Sequence, residues 1–248
     1  MCTVSWTSDE GGCYQLFFNR DEQRSRPRAK RPQLFERDGR GLIAPIDERS
    51  QGSWMAVNDL GVCAFLLNGY EVATSDGKTE VPLRSRGEIP ISLCGQFGFD
   101  RSLDTLMGLE PERFPPFFAG LIGPEDGARI FCWNGLSFEE RLLELPFLTT
   151  SSFQSEAVQT YRRDRFLELC HPDGPFIDPE KLLDYHRDSI HANGAFNPLM
   201  SRGDAETHCL SSISVDSRAA RYQYREVDPG NGKLRPPLVI ELKLRAKH

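Results

Sequence analysis

Residues 1–23 of the chain read MCTVSWTSDEGGCYQLFFNRDEQ, and this stretch decides the fold that we predict. Residues 3–7 and 14–19 are rich in β-branched and aromatic side chains, and the Ser-Asp-Glu-Gly-Gly sequence between them is a turn signal, so the stretch predicts a β-hairpin. If the turn is centred between Glu10 and Gly11, Cys2 lies opposite Asn19. A loop that differs by one residue would place Phe18 or Arg20 there instead.

Similar patterns continue along the rest of the chain. Apolar runs bounded by turn residues predict strands at 42–44, 53–57, 62–68, 117–122, 129–133, 208–215, 221–227 and 238–244. Helical patterns lie within 89–109, where Gly95 and Gly98 interrupt them, and at 155–169 and 179–190. Strands, then helices, then strands again predict an α+β fold of two mostly antiparallel sheets with helices packed outside them.

Length, composition and charge narrow the possible classes of function. A chain of 248 residues can form a single domain spanning 1–248. We find no uninterrupted apolar run of about 18 residues and no secretory leader, and the seven cysteines are scattered without a C-x-x-C pair. These features predict a cytoplasmic protein with no membrane span. The net charge of −6 argues against nucleic acid as a partner.

Cys2 is the strongest candidate for a reactive residue. Cysteine at position 2 is small enough for methionine aminopeptidase to remove Met1, which would leave one residue carrying both a thiol and a free α-amine. The reference pKa values of these groups are about 8.5 and 7.7–8.0, so the amine can accept the thiol proton near neutral pH without a histidine. Nucleophile and base would then belong to one residue.

Polar residues near Cys2 could complete a site for acyl transfer. Arg20 could stabilise a thiolate, and Asp21 could hold and orient the ammonium group. Asn68 ends an apolar strand, so its amide could donate to a developing oxyanion. Asn68 precedes Gly69, and an equally simple interpretation makes it a turn residue.

A basic stretch lies within this acidic chain. It contains Arg20, Arg24, Arg26, Arg28, Lys30 and Arg31. One interpretation is that these side chains attract an anionic group of a substrate. The other is that the stretch is a solvated loop held open by Pro27 and Pro32.

Several short motifs in the first 70 residues occur in a specific order. Asn19-Arg20-Asp21-Glu22 follows Cys2, and Gly52-Ser53-Trp54 and Asn58-x-x-Gly61 precede Asn68. In this arrangement the chain resembles the NRDE family, which includes the transport and Golgi organisation proteins. The resemblance implies a four-layer αββα sandwich, the N-terminal-nucleophile fold of penicillin and bile-salt amidases.

The resemblance also implies roles for individual residues. It implies that Cys2 is the nucleophile, that Arg20 and an acidic neighbour assist it, and that Asn68 is an oxyanion donor. Either Asp21 or Glu22 could hold the amine. Where the family shows Leu-Ser-Asn near mid-chain, this sequence has Thr149-Thr150-Ser151 after Leu148, so a second asparagine donor is missing. The candidate catalytic residues are Cys2, Arg20, Asp21 and Asn68, and the candidate substrate-binding residues are Asn19, Glu22, Trp54, Thr150 and Ser151.

Two hypotheses of different classes follow. In the first, the protein is an N-terminal-cysteine hydrolase that cleaves an amide or other acyl bond of a small molecule without a cofactor or metal. In the second, it is a non-catalytic carrier of haem, a lipid or acyl-CoA that uses the same pocket. The Cys170-His171 and His208-Cys209 pairs lack the spacing of a zinc site, so we predict no metal site.

Overall fold

The computed structural model describes residues 1–70, 83–170 and 176–245, and it contains two sheets in which all strand pairs are antiparallel. The first sheet has the order β10 (Phe147–Thr150), β1 (Cys2–Ser8), β2 (Tyr14–Gln23), β11 (Ala205–Val215), β12 (Ala219–Glu226) and β13 (Leu238–Lys243). The second has the order β3 (Lys30–Arg37), β4 (Arg40–Ile46), β5 (Met55–Asn58), β6 (Cys63–Asn68), β7 (Phe117–Gly123), β8 (Gly127–Trp133) and β9 (Phe138–Glu140).

Helices cover the outer face of each sheet. They are α1 (Glu88–Cys94), α2 (Phe99–Met107), α3 (Ser155–Cys170) and α4 (Pro179–Arg187). The helices α1 and α2 pack on the second sheet, and α3 and α4 pack on the first. Side chains from both sheets form a third core between them. The predicted αββα sandwich is therefore confirmed. None of the helices in the described ranges has the length and hydrophobicity to cross a membrane.

The alternation of side chains along β1 explains why this strand is buried on both faces. Val4 and Trp6 belong to the core between the sheets, as does Cys2. The intervening Ser5 and Thr7 face the helices and are hydrogen-bonded there. The Ser5 hydroxyl lies 2.9 Å from Nε2 of His186, and Thr7 accepts a bond of 2.9 Å from the backbone N–H of Ile177. Because successive side chains of a strand point to opposite faces, β1 contributes both to the core between the sheets and to the layer beneath the helices.

The register of the first hairpin differs from the prediction. Cys2 pairs with Arg20 instead of Asn19, because the turn is centred on Gly11 and Ser8 pairs with Tyr14. The loop is thus one residue longer than predicted, and Gly12 within it adopts φ +80°, a left-handed conformation that favours glycine. Since paired residues share a face, this shift turns the Arg20 side chain toward the same face as Cys2.

The predicted loop is present at residues 24–29, but it is shorter than predicted because Lys30 and Arg31 belong to a strand. Residues Lys30–Arg37 form the edge strand β3 of the second sheet, with a register irregularity between Lys30 and Gln33. Pro32 is compatible with this position, because an edge strand leaves one row of backbone groups unpaired. The other strands and helices predicted from the sequence are present, with ends that differ by a few residues.

A close approach of two glycines connects the start of β5 to the loop before α1. The backbone N–H of Ser53 donates to the carbonyl of Gly87 at 2.8 Å. A Cβ atom on Gly52 would lie 2.5 Å from the carbonyl carbon of Gly87. Because that neighbour is backbone, a side chain at Gly52 requires the loop to move.

The substitution Gly52→Ala should therefore lower the free energy of unfolding by about 1–3 kcal/mol, as expected for overpacking against backbone. Gly203→Ala is the matched control, because no atom lies within 4 Å of a Cβ built there. Urea unfolding of both variants measures the difference. Equal stability of the two variants would show that the approach is not a constraint.

His186 gives the fold a dependence on pH. Burial, with a contribution from Arg162, lowers the pKa of His186 to about 3, so the folded protein holds this ring neutral. In the unfolded chain the ring binds a proton below its ordinary pKa of about 6.5, which favours unfolding as the pH falls through that value.

Between pH 7 and pH 5 the wild type should lose about 2 kcal/mol more stability than His186→Gln. Urea unfolding at both pH values tests this, and parallel losses would refute it.

Candidate active site

A polar cavity of about 140 Å³ lies beside Cys2, where β1, β2, β6 and the loop before α1 meet. Six of the nine candidate residues line it: Cys2, Arg20, Asp21, Glu22, Trp54 and Asn68. Candidate residues from three strands and one loop therefore lie around the same cavity.

The thiol of Cys2 is buried, with 7% of the residue exposed. Burial raises the pKa of Cys2 above its ordinary value. The chain's ammonium group, the backbone N–H of Asp21 and the guanidinium of Arg20 oppose this shift, while the Asp21 carboxylate adds to it. Burial prevails, so the thiol is protonated at neutral pH and requires a base before it can act as a nucleophile.

Arg20 is fixed on three sides. Its Nη2 donates to Oδ2 of Asp47 at 2.5 Å and lies 3.4 Å from Oε2 of Glu22. The guanidinium also lies over the ring of Trp54, with Cζ 4.5 Å from the ring centroid. Trp54 is therefore a wall of the cavity, and it holds the arginine by a cation–π contact.

Asp47 is a site residue that the sequence analysis missed. Its carboxylate accepts two hydrogen bonds from Arg26, at 2.8 and 2.9 Å, and bonds from the backbone N–H groups of Arg49 and Ser50. Burial alone would raise the pKa of Asp47, but the bonds from Arg26, Ser50 and Arg20 lower it well below its ordinary value. An Asp followed three residues later by Ser indicates a local turn. The distant partner Arg20 gives no such signal.

Asp21 lies in a buried hydrogen-bond network. Its Oδ1 accepts from the hydroxyl of Thr207 at 2.6 Å, and its Oδ2 lies 3.3 Å from two nitrogens of Arg162. Burial raises the pKa of Asp21, while Arg162 and the chain's ammonium group oppose that shift. The carboxylate is therefore close enough to the amino terminus to interact with it. Glu22 instead forms ion pairs with Arg20 and Arg26.

Arg162 is the second site residue that the sequence analysis missed. It lies on α3 with no exposed surface, and it donates to Thr3 Oγ1 at 2.8 Å and to the carbonyl of Phe196 at 3.2 Å. The sequence feature that could have identified Arg162 is its spacing, because it lies four residues from both Val158 and Phe166 on the buried face of the helix. A charged residue in a buried stripe requires an opposite charge nearby.

Asn68 ends β6, as predicted, and its amide donates to the hydroxyl of Tyr70 at 2.9 Å. The ammonium group of Met1 donates to the same hydroxyl at 3.0 Å. Tyr70 and Arg86, which also lines the cavity, were not predicted. Burial is the main cause that raises the pKa of Tyr70, and the Cys2 thiol contributes to that shift. The Tyr70 hydroxyl therefore links Asn68 to the start of the chain.

Three of the candidate substrate-binding residues do not line the cavity. Asn19 faces the helices, where its amide donates to the carbonyls of His186 and Pro198 at 2.9 and 2.7 Å. The hydroxyl of Ser151 contacts the sulfur of Met1 at 3.0 Å. Thr150 pairs with Cys2 across β10 and β1, and its buried hydroxyl has no hydrogen-bond partner in the described ranges.

Solved structures share this fold at low sequence identity. Penicillin V acylase from Agrobacterium tumefaciens aligns with a TM-score of 0.59 and 13% identity, covering 98% of this chain and 86% of that chain. An N-acylethanolamine-hydrolyzing acid amidase ortholog from Caenorhabditis elegans aligns with a TM-score of 0.56 and 11% identity, covering 86% and 92%. A variant of conjugated bile acid hydrolase from Clostridium perfringens aligns with a TM-score of 0.51 and 13% identity, covering 100% and 99%.

The amino-terminal part of the chain matches a family model. No curated protein sequence matches the chain significantly. The family model described as Transport and Golgi organisation 2 matches residues 1–111, which include every candidate residue in the cavity. The resemblance predicted from the motifs is therefore confirmed: residues 1–111 match the Transport and Golgi organisation 2 family, and the chain has an N-terminal-nucleophile-hydrolase-like fold.

Proposed function

We propose that the protein is an N-terminal-cysteine hydrolase that cleaves an amide or other acyl bond of a small molecule after removal of Met1. The observation that carries this proposal is the position of Cys2, which begins β1 and lines a cavity together with Arg20, Asp21 and Asn68. The names of the three structural neighbours, an acylase, an acid amidase and a bile acid hydrolase, support the same class of reaction.

Removal of Met1 is required because it creates the base. While Met1 is attached, the nitrogen of Cys2 belongs to a peptide bond and cannot accept a proton. Once released, this nitrogen becomes an α-amine on the same residue as the thiol, and the amine takes the thiol proton. The raised pKa of the buried thiol makes such a base necessary.

The reaction then follows the general course of nucleophilic acyl transfer. The thiolate attacks the substrate carbonyl carbon, and the carbonyl oxygen gains negative charge. Asn68 lines the cavity, and in this mechanism its amide donates to the oxyanion, an interaction worth about 2.7–4 kcal/mol in comparable sites. The ammonium returns its proton to the leaving group, which leaves a thioester on Cys2. Water, deprotonated by the same amine, hydrolyses the thioester and releases the acid.

Asp21 is better placed than Glu22 to hold the amine. The ammonium group of Met1, the residue attached to the Cys2 nitrogen, acts on the pKa of Asp21, whereas the carboxylate of Glu22 is engaged with Arg20 and Arg26. Arg162 opposes the rise that burial causes in the Asp21 pKa, and so it favours the ionised carboxylate that attracts an ammonium group. Arg162 is therefore a positioning residue that acts through Asp21.

The volume and polarity of the cavity distinguish between the hydrolase and the carrier. Pockets for drug-sized ligands usually measure about 300–1,000 Å³ and have mostly apolar walls. In the described ranges the cavity beside Cys2 measures about 140 Å³ and is lined by charged residues. These properties suit the scissile end of a small substrate better than haem or a lipid, so we rank the carrier second.

Cys2→Ala should abolish hydrolysis of acyl amides and thioesters, with a loss of more than about 1,000-fold in kcat, because the nucleophile and not merely a contact is removed. Steady-state assays on a panel of small acyl amides and acyl-CoA thioesters measure it. Intact mass establishes whether Met1 is absent from the active protein.

Cys13→Ala is the matched control, because Cys13 is a half-buried thiol in the hairpin turn, outside the cavity, and its loss should leave kcat unchanged. Equal activity of wild type and Cys2→Ala would eliminate the hydrolase. Binding of haem or lipid that ignores Cys2, with no hydrolysis of any panel member, would favour the carrier.

Arg162→Met should lower the free energy of unfolding by about 3–5 kcal/mol, because it leaves the Asp21 carboxylate buried without its cation. Arg163→Met removes an exposed charge from the next position and should change stability by about 0.5 kcal/mol or less. Urea unfolding measures both. The double variant Asp21→Asn/Arg162→Met should lose less than the sum of its single variants, and simple additivity would contradict a direct coupling.

A further inference from the structure

The charges that line the Cys2 cavity are almost all balanced by neighbours. Arg20 and Arg26 form ion pairs with Asp47 and Glu22. The remaining carboxylate of the cavity, that of Asp21, is paired with Arg162 beneath it. Because these cations and anions neutralise one another, they do not require a charged ligand.

Each of the other arginines of the basic stretch also has a carboxylate partner. Arg24 and Arg28 both form ion pairs with Glu206, and Arg31 pairs with Glu226. The hypothesis that this stretch attracts an anion is therefore weakened, because its arginines already have carboxylate partners.

Arg86 is different. It lines the cavity and is half-buried, and its Nη1 donates to the carbonyl of Pro116 at 2.7 Å. No carboxylate in the described ranges forms an ion pair with it. Burial lowers the pKa of Arg86, while the negative forms of Tyr70 and Cys2 and the more distant Glu22 carboxylate, which forms no ion pair with it, act in the opposite direction. Arg86 is thus a partly desolvated cation that interacts electrostatically with the nucleophile.

The backbone holds Arg86 in this position. Gly87, the next residue, is fixed against Gly52 and Ser53, and the carbonyl of Pro116 fixes one end of the guanidinium. The other guanidinium nitrogens have no hydrogen-bond partner in the described part of the chain. A planar fork with free donors matches the two oxygens of a carboxylate.

We propose that Arg86 binds an anionic group, a carboxylate in the simplest case, that lies close to the scissile acyl bond of the substrate. This inference rests on the proposed function, because it names the class of substrate for the same cavity. The protein would then prefer acyl compounds that carry a negative charge on the acyl or the amine side over neutral compounds of the same shape.

Calorimetric titration of Cys2→Ala tests the proposal without depending on turnover. Two matched pairs of probes distinguish the two sides of the bond: N-hexanoylglycine against N-hexanoylglycinamide, and N-hexylsuccinamate against N-hexylsuccinamide. The anionic member of at least one pair should bind about 10- to 100-fold more tightly than its neutral partner, the range expected for a charge-assisted hydrogen bond.

Adding Arg86→Gln to Cys2→Ala should abolish this preference, and Arg86→Lys should retain part of it because the charge remains. Arg84→Gln is the matched control, since Arg84 is an exposed arginine two residues away that pairs with Glu88 outside the cavity. A preference that survives Arg86→Gln, or no preference in either pair, would overturn the proposal. Hydrolysis of neutral and anionic substrates at equal rates would overturn it while leaving the hydrolase intact.

Discussion

The pairing of β1 on both of its edges is the constraint on which the site depends. Cys2 is in register with Arg20 of β2 on one side and with Thr150 of β10 on the other. A chain terminus is usually poorly ordered unless a sheet holds it. Here the second residue of the chain is also part of the core between the two sheets. The thiol is therefore held rigidly, and the residues that surround it can be positioned accurately.

Buried ion pairs then determine what this rigid site can do. Arg20 is held by Asp47 and Trp54, and Asp21 is held by Arg162 and Thr207. Each of these charges is desolvated, which would be costly without its partner. Burial also raises the pKa of the Cys2 thiol, so deprotonation of this thiol depends on a nearby base and on the field of these charges. Arg86 remains as the charge that a substrate could neutralise.

Much of the fold followed from local patterns, whereas the site required information that local patterns lack. The hairpins were readable because their turns contain Gly, Asn and Asp between alternating apolar residues. The partner of Cys2 was misassigned by one residue, because the turn residues identify a loop but do not fix its length to within one residue. Asp47 was not predicted, because its partners Arg26 and Arg20 lie 21 and 27 positions away in the sequence. Arg162 was detectable as a charge in an apolar stripe, but its partner Asp21 lies on another element of the fold.

A released Cys2 is the reactive nucleophile in the mechanism that we propose. Timed alkylation with iodoacetamide at pH 7, followed by peptide mapping, compares all seven cysteines in one experiment. If Cys2 has this role, the amino-terminal peptide should lack Met1, and its Cys2 should be modified faster than any other cysteine, including the half-buried Cys13 and Cys132. A native protein that retains Met1, or a Cys2 that reacts more slowly than Cys13, would contradict it.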